Sequence, residues 1–472
     1  MIEIMPLWDY SKNTPLYMQL YEYIKHEIEI GTIKPQTKLP SKRKLASYLG
    51  ISQNTIQAAY EQLHAEGYVE SKPRSGIFVT RLEDNLFCNL STINNPSQNI
   101  KLKDDFKYLI DFSSGNIDLD HFPYRMWRKV TTQCLYSDQG DLLLVGEAQG
   151  EDCLRKEISK YLFQSRSVRC LPEQIIIGAG MQYLMILLCM LLGKDYSYAI
   201  ENPGYDKARN VFTDQGIDIC PISIDENGIC VEDLRKSSAR VVYVTPSHQF
   251  PCGMIMPVSR RLELLKWCEE RDGYIIEDDY DSEFRYEGKP IPSLQGLDRN
   301  GKVIYMGTFS KSLIPSIRIS YLVLPPKLVE KYQQHFQRYK QTVSRLHQNT
   351  LYRFMKEGYL SSHINKMRTL YRKKRGILLS AIDKHMEDKV EAIGTNSGLH
   401  LLLKVKNGMT EEELIQSAHK MKVKVYPTSI YYNESVTNEF PMVLLGFGGL
   451  TALQIEEGIQ ILKKVWFTVV NY

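Results

Sequence analysis

Residues 302–320 read KVIYMGTFSKSLIPSIRIS, and in this stretch Lys311 follows a short apolar run. In an α/β sheet, ligands bind where strands end and loops begin, so a lysine in this place indicates a binding site. The Lys311 amine can form an imine with an aldehyde. Thr308 and Ser310 can donate hydroxyl hydrogen bonds to a phosphate, and Arg318 can hold the same group with its planar guanidinium.

An acidic motif lies upstream, IIEDDYDSEF over residues 275–284. Asp278 and Tyr280 are two positions apart on a predicted strand, so both side chains should point to the same face. A pyridine ring stays protonated and draws electrons when a carboxylate lies beside its nitrogen, and a phenol can bond to its 3′ oxygen. We expect Asp279 and Asp281 to point the other way and to be structural.

A glycine-rich turn and a tyrosine add to these groups. The segment IIIGAGMQ, residues 175–182, joins a predicted strand to a helix through Gly178 and Gly180. The N–H groups at the start of a helix bind phosphate well, although such a turn alone is weak evidence. In ENPGY, Tyr205 can stack on a ring, but a single tyrosine is more often part of a core.

Apolar runs alternate with helical stretches from about residue 108 onward. The runs are QIIIGAG, YAIENP, RVVYVTP, YIIEDDY and KVIYMGTFS, and their apolar residues are continuous. This pattern predicts a buried, mainly parallel sheet. A long basic helix and shorter elements after about residue 340 predict a smaller α+β part. Residues 81–107 are rich in Asn, Ser and charge, which is typical of a linker.

The N-terminal residues 10–80 have the pattern of a winged helix-turn-helix. An amphipathic helix is predicted by apolar residues at every fourth position, Leu16, Leu20, Ile24 and Ile28. Ser41 and Ser52 are the N-caps of two further helices, separated by a short Gly-Ile connection. The segment YVESKPRSGIFV then predicts a wing of two short strands, residues 68–70 and 77–79, joined by a basic turn.

Positive charge is concentrated at the start of the helix-turn-helix. Residues 34–44 contain no acidic residue and five cations, Lys34, Lys38, Lys42, Arg43 and Lys44. The predicted wing adds Lys72 and Arg74. The second helix begins with four residues that can bond to base edges or phosphates, Ser52, Gln53, Asn54 and Thr55. On charge alone, a solvated basic face is an equally good interpretation.

Residues 14–80 resemble the GntR-type winged helix-turn-helix along their whole length, most specifically in LPSKRKLA and GYVES-x3-SGIFV. The resemblance implies that Arg43 contacts a phosphate of double-stranded promoter DNA and that residues 52–55 read its bases. It also implies DNA contacts from Lys42 and from the wing. Many such proteins have Arg after the capping Ser, whereas this chain has Gln53, so an operator sequence cannot be transferred from them.

Residues 108–472 resemble a fold-type I (class I) aminotransferase domain. Together with the winged helix, the motifs VTPSHQFPCG, IIEDDYDSEF and YMGTFSKSL are similar to the MocR subfamily and to GabR-type regulators. The resemblance implies an α/β fold, pyridoxal 5′-phosphate (PLP) as cofactor, and a head-to-tail homodimer. It implies these PLP contacts: Lys311 in the Schiff base, Asp278 at the ring nitrogen, Tyr280 at the 3′ oxygen, Tyr205 on the ring, and Gly180, Gln182, Thr308, Ser310 and Arg318 at the phosphate.

The chain departs from amino-acid aminotransferases at the substrate carboxylate. Those enzymes use an arginine from the small domain, but this chain has no arginine after Arg375. Ile430 and Lys207 stand about where GABA-sensing relatives have arginines, and lysine offers a point charge in place of a fork. The departure argues against efficient transamination and against GABA. Lys207 is the predicted effector contact, and His400 or Lys404 are alternatives.

Composition limits the remaining classes of protein. The 472 residues are 43% hydrophobic and 24% charged, with a net charge of +4, as in a soluble globular protein of two or three domains. The nine cysteines form no C-x-x-C pair, which is typical of reduced thiols in a cytoplasmic protein, and no pattern predicts a metal site. The longest apolar run is too short to span a membrane, and no signal peptide is predicted.

These patterns predict a PLP-dependent transcription regulator that senses PLP or an amino compound. The MocR resemblance implies PLP as the simplest signal, because some of these regulators sense vitamin B6 status. The alternative is an active aminotransferase with an autoregulatory DNA-binding module. A third interpretation is a plain repressor whose large domain only dimerises.

Overall fold

The computed structural model describes residues 4–6, 8, 14–81, 106–286, 291–433 and 440–467. The chain divides into two compact units, Met1–Asp105 and Phe106–Tyr472. Most of the predicted linker, residues 82–105, lies outside the described residues.

The first unit contains three helices and a two-stranded hairpin: α1 (Leu16–Glu29), α2 (Lys42–Leu49), α3 (Gln53–Ala65), β1 (Val69–Lys72) and β2 (Gly76–Val79). Both predicted caps are confirmed, because the Ser41 hydroxyl accepts from the Lys44 N–H and the Ser52 hydroxyl from the Thr55 N–H. Gly50 ends α2 at a φ of 68°, which favours glycine. The sharp turn it makes sets α3 against α2.

The wing is an antiparallel pair whose register runs from Val69 opposite Val79 to Lys72 opposite Gly76. Both strands are longer than predicted, because the pairing continues to the ends of the basic turn. The apolar faces of α1 and α3 close the core of this unit, with Leu20, Ile24, Ile56 and Leu63 fully buried. This burial leaves the opposite face of α3 exposed.

The second unit has a large part and a small part. The unit begins with β3 (Ile110–Asp111), which pairs with Val423–Lys424 of the small part. The large part contains α4 (Tyr124–Gln133), α5 (Asp152–Arg166), β4 (Ile175–Gly178), α6 (Met181–Leu192), β5 (Tyr198–Asn202), α7 (Asp206–Asp214), β6 (Ile219–Asp225), β7 (Gly228–Ile229), α8 (Val231–Lys236), β8 (Val241–Val244), α9 (Val258–Glu270), β9 (Tyr274–Asp279), β10 (Val303–Thr308), β11 (Ser320–Val323), α10 (Pro326–His335) and α11 (Arg345–Lys356). The small part contains α12 (Tyr359–Met386), β12 (Val390–Ile393), β13 (His400–Val405), α13 (Glu411–Lys420), β14 (Val423–Lys424), β15 (Tyr426–Pro427), β16 (Met442–Gly446) and α14 (Ala452–Phe467).

The described residues of the large part form an eight-stranded sheet in the order β4-β11-β10-β9-β8-β5-β6-β7. The five strands from β10 to β6 are parallel, which confirms the predicted mainly parallel sheet. β11 was not predicted; it runs antiparallel between β10 and β4. The carboxyl ends of β5, β8, β9 and β10 therefore meet at one edge, where a ligand site is expected.

The predicted small α+β part is confirmed. It is a four-stranded antiparallel sheet, β12-β13-β16-β15, covered by the long helix α12 and by α14. Its apolar core includes Leu401, Leu403, Leu445 and Ile459, all buried. Within the described ranges, no helix is long and apolar enough to cross a membrane.

Candidate functional site

A cavity of about 440 Å³ opens where the parallel strands end. Its lining includes eight of the nine predicted PLP contacts, Lys311, Asp278, Tyr280, Tyr205, Gln182, Thr308, Ser310 and Arg318. The ninth, Gly180, is the N-cap of α6 and lies against Arg318. The predicted effector contact, Lys207, also lines this cavity. We call it the cofactor pocket.

Lys311 lies beyond the end of β10, and its Nζ donates a hydrogen bond to the Ser114 carbonyl. The pKa of this amine is lowered to about 8, mainly by burial; Asp281 opposes the shift and nearby Lys207 adds to it. A substantial fraction of the amine is therefore neutral near physiological pH. A neutral amine is the form that attacks a carbonyl carbon.

Asp278, near the end of β9, is fully buried with one of its oxygens unpaired. The Tyr243 hydroxyl donates to Oδ2, but Oδ1 has no partner among the described residues. Burial raises the pKa of this carboxyl to about 7. A cation at Oδ1 would keep Asp278 ionised, because opposite charge favours the charged form. The protonated nitrogen of a pyridine ring is such a cation, so this residue fits PLP.

The predicted phosphate contacts converge at the start of α6. Thr308 Oγ1 lies 3.0 Å from Ser310 Oγ, and Ser320 Oγ donates to Thr308 Oγ1 over 2.9 Å. Gly180 has a φ of 96°, which favours glycine, and a Cβ there would lie 2.0 Å from the Arg318 guanidinium. The cluster combines a cation, hydroxyl groups and the N-terminus of a helix, which suits a phosphate.

One wall of the pocket is aromatic and carries an exposed cation. Tyr205 is the N-cap residue of α7 and meets the Phe250 ring edge-on, with a centroid distance of 5.4 Å. Lys207, two residues after Tyr205, is exposed and has no hydrogen bond or ion pair with any described residue. Ile430 also lines this wall and is 46% exposed.

The alternative carboxylate contacts differ in what they can offer. His400 lines the cofactor pocket, but burial holds its pKa well below the usual value, so the imidazole is neutral. Lys404 is not among the lining residues and lies over the Phe440 ring, with Nζ 5.1 Å from the centroid. Lys207 is therefore the alternative that brings a free positive charge to this wall.

Most of the predicted DNA contacts are exposed or partly exposed side chains of the first unit. Arg43, Gln53, Asn54 and Arg74 are exposed, and Lys42 is partly exposed. Ser52 and Thr55 bond to each other with 2.9 Å between their hydroxyl oxygens, so both take part in the cap of α3. Gln53 and Asn54 are consequently the free side chains at the start of that helix.

Lys72 differs from the other predicted DNA contacts because it already has partners. Its Nζ lies 3.0 Å from Glu70 and donates to Gln36 over 3.0 Å. It also lies over the Phe78 ring. Arg74, at the tip of the wing with a φ of 61°, has none of these contacts.

Comparison with known proteins agrees with this arrangement. Residues 16–79 match the family of bacterial regulatory proteins, gntR family, and residues 107–439 match aminotransferase class I and II. The chain is 32% identical to the probable rhizopine catabolism regulatory protein MocR of Rhizobium meliloti, over 98% of this chain and 96% of that protein. The chain belongs to the MocR-type transcription regulators.

Two further proteins place this MocR-type regulator among its relatives. It is 46% identical to the uncharacterized HTH-type transcriptional regulator YdeL of Bacillus subtilis, over 98% of this chain and 100% of that protein. The solved structure of kynurenine aminotransferase from Pyrococcus horikoshii, in complex with PMP, is 26% identical. It aligns with a TM-score of 0.66 over 75% of this chain and 90% of that one.

The expectation for the acidic motif of this MocR-type regulator is wrong for Asp281. Asp279 is structural, as predicted. Its carboxylate pairs with Arg166 at a distance of 2.7 Å, and neither residue lines the pocket. Asp281, however, lines the cofactor pocket together with Asp278 and Tyr280. The alternation of side chains fails here because β9 ends at Asp279, so the next residues follow a turn.

Other residues of the site were not predicted from the sequence. His248 bonds to Asp281, and Arg209 donates to the carbonyls of Ile430 and Tyr432 over 2.7 and 2.8 Å. Arg209 thereby holds the Ile430 segment of the small part against α7. The sequence signal for His248 was its place in VTPSHQFPCG, just after the end of a predicted strand, whereas Arg209 had none.

Proposed function

We propose that this MocR-type regulator binds PLP covalently through Lys311 and that PLP occupancy sets its affinity for promoter DNA. The observation that carries the proposal is the unpaired, buried Asp278 Oδ1 in the same pocket as a lysine whose pKa is about 8. An unpaired buried oxygen is costly, and a bound cation would relieve that cost. When bound, PLP supplies an aldehyde and an electron-drawing ring.

Each pocket residue has a separate task in this proposal. Lys311 would supply the neutral amine that condenses with the aldehyde and releases water, and Asp278 would hold a proton on the ring nitrogen. Tyr280 donates to the 3′ oxygen, and Tyr205 covers the ring face. The phosphate contacts are Gly180, Gln182, Thr308, Ser310 and Arg318. Together they would orient the cofactor by both of its ends.

Residues 10–80 form the DNA-binding domain in this proposal, residues 81–107 a linker, and residues 108–472 the PLP-binding and dimerisation domain. Arg43, Lys42, Lys72 and Arg74 contact phosphates, with Lys72 limited by its bonds to Glu70 and Gln36. Gln53 and Asn54 read bases in the major groove, while Ser52 and Thr55 hold the start of α3. The regulator would act in the cytoplasm as a homodimer.

PLP is the simplest signal because the described pocket has no arginine placed for an amino-acid carboxylate. Arg318 faces the phosphate contacts, and Arg209 bonds to backbone carbonyls. PLP needs only contacts to its ring and its phosphate, and the pocket has residues suited to both. A ligand shifts a regulator only by its differential affinity for the two states.

A second candidate signal is an amino compound held by Lys207. The free, exposed ammonium of Lys207 in the pocket wall favours it. A lysine gives a point charge, so such a compound would carry one anionic group without bidentate recognition.

Covalent labelling tests the assignment of Lys311. Wild-type protein loaded with PLP is expected to be yellow and, after borohydride reduction, to carry one PLP adduct on the peptide containing Lys311. Lys311→Ala should lose both the colour and the adduct, because no other described lysine in the pocket is buried. Lys366→Ala, an exposed lysine of α12, is the matched control and should keep both. A reducible adduct that persists in Lys311→Ala would refute the assignment.

A further inference from the structure

Three buried side chains lie together at the cofactor pocket: Asp281 and His400 line it, and His248 bonds to Asp281. None was predicted as a PLP contact. His248, Asp281 and His400 are 1%, 3% and 3% exposed. Their nearest donor and acceptor atoms all lie within 4.8 Å of one another. The rings of the two histidines are 4.9 Å apart. Buried polar groups in such a cluster must satisfy each other or a ligand.

The hydrogen bonds around His248 fix its proton. Nδ1 lies 2.9 Å from the Asp281 carboxylate and 2.9 Å from the Tyr280 hydroxyl oxygen. The Tyr280 hydroxyl in turn lies 3.1 Å from the His248 carbonyl, to which it can donate. One arrangement uses all three contacts: Nδ1 carries the proton and shares it between Asp281 and Tyr280, and the phenol donates to the carbonyl. The carboxylate thus selects the tautomer.

Packing holds the imidazole in this orientation. Gly398 has a φ of 71°, and a Cβ there would lie 2.0 Å from His248 Cε1 and 2.6 Å from the Asp281 carboxylate. The backbone of the small part therefore presses directly on the pair. His248 Nε2 is buried without a partner among the described residues. A buried nitrogen without a hydrogen bond is unfavourable, and an unconstrained imidazole would rotate to find a partner for Nε2. The packing of Gly398 against His248 prevents that rotation.

The composition of the cluster also suits a metal ion, but its bonding does not. The Nδ1 atom of His248 is already shared by two oxygens, and His400 Nε2 lies 3.2 Å from the Pro251 carbonyl. A metal at this place would have to break these bonds. The geometry favours a hydrogen-bonded chain that ends at Tyr280.

We propose that His248, held by Asp281, is a positioning residue that makes Tyr280 a stronger hydrogen-bond donor to the 3′ oxygen of PLP. This inference rests on the proposed function, since it needs PLP in the pocket. When the phenol turns from the His248 carbonyl to the cofactor, its oxygen still accepts from Nδ1. A hydroxyl that accepts one hydrogen bond donates a stronger one, because chains of hydrogen bonds polarise each other.

The charges around Tyr280 keep it in the donor form. Burial raises its pKa well above the usual value, and the nearby acidic groups add to the shift. The titratable groups that face Tyr280 and His248 are Asp281, Asp278, Glu201, Tyr205, His400 and Lys311. His400 is neutral, since burial holds its pKa far below the usual value. The phenol therefore keeps its proton throughout the range in which PLP proteins change colour.

The pH at which bound PLP changes its visible absorbance tests this role. A hydrogen bond donated to the 3′ oxygen stabilises negative charge there, so the neighbouring proton leaves at lower pH. If His248 no longer strengthens the Tyr280 hydrogen bond, the midpoint of the spectral titration should rise by about one pH unit, the effect of one hydrogen bond. We expect that rise in His248→Phe, and a rise in the same direction in Asp281→Asn. His363→Phe removes another buried histidine, from α12 and outside the pocket, and should leave the midpoint unchanged.

The outcomes separate this inference from the proposed function. A wild-type protein that never gains the PLP absorbance would refute the proposed function. A wild-type protein with the absorbance, together with PLP-bound His248→Phe and Asp281→Asn variants at the wild-type midpoint, would refute only the role of His248. If His248→Phe fails to fold, the milder Asp281→Asn variant still decides the question. The role of His248 would also be refuted if zinc bound to wild-type protein, displaced PLP, and no longer bound to His400→Ala.

Discussion

At the scale of single residues, the chemistry depends on an amine and a carboxyl that burial has moved toward neutral pH. The pKa of Lys311 falls to about 8, and that of Asp278 rises to about 7. Both shifts favour the uncharged form, as desolvation requires. In the proposed function, Asp278 would be kept charged by the bound ligand, whereas the low pKa of Lys311 comes from the protein alone.

The rate of PLP binding should therefore depend on pH through Lys311. Below a pH of about 8 the amine is mostly protonated and cannot attack, so the rate should rise as pH increases. Above that pH the amine is neutral and the rate should level off. The measurement is the initial growth of visible absorbance when PLP is added to apoprotein. A rate that is flat, or that falls, across this range would contradict the low pKa.

The sequence predicts which residues carry the chemistry of the pocket, but it does not always predict which way their side chains point. Lys311, Asp278 and Tyr280 were recognised because a strand end and a short spacing placed them together. Asp281 was misassigned because alternation holds only inside a strand, and β9 ends two residues earlier. The partner of Asp281, His248, comes from another strand end, and sequence patterns carry no information on that distance.

At the scale of elements, we propose that α2 contacts the phosphates of DNA and α3 its bases. Arg43, in the first turn of α2, is exposed and has no acidic neighbour in its helix. Asn54, in the first turn of α3, is exposed beside the Ser52 cap. Phosphate contacts give affinity for any DNA, whereas base contacts give preference among sequences.

Two substitutions should separate these contributions. Arg43→Ala is expected to weaken binding to all sequences and to lower the salt dependence by about one unit of slope. Asn54→Ala should lose about 1–3 kcal/mol of discrimination between operator and other DNA. Binding titrations at several salt concentrations measure both effects, with Lys366→Ala as a charge-matched control from the second unit. A fragment of residues 81–472 that binds the promoter as tightly as the full chain would contradict the assignment.

Elements with strong local patterns were predicted, and those that depend on partners were not. The caps at Ser41 and Ser52 and the five apolar strands follow from short-range rules. β11 has only four residues, directly after the turn around Arg318, and it is a strand because β10 and β4 flank it. The Arg209 contact with the Ile430 segment joins two parts far apart in sequence.

At the scale of the whole molecule, regulation requires that PLP in one unit alter the affinity of the other unit for DNA. The chain forms two compact units, and the proposal assigns DNA binding to one and PLP binding to the other. A change in DNA affinity can be no larger than the difference in PLP affinity between the two states. The same coupling can therefore be measured as the effect of PLP on DNA affinity or as the effect of DNA on PLP affinity.

Operator affinity of the same protein with and without PLP tests the central claim most directly. Apoprotein, PLP-loaded protein and Lys311→Ala protein with added PLP are titrated against operator DNA at fixed salt. The account predicts a clear difference in dissociation constant between the apo and PLP-loaded forms, with Lys311→Ala matching the apo form. Equal operator binding by the apo and PLP-loaded forms, together with a clear shift when an amino acid is added, would contradict it and identify an amino-acid sensor.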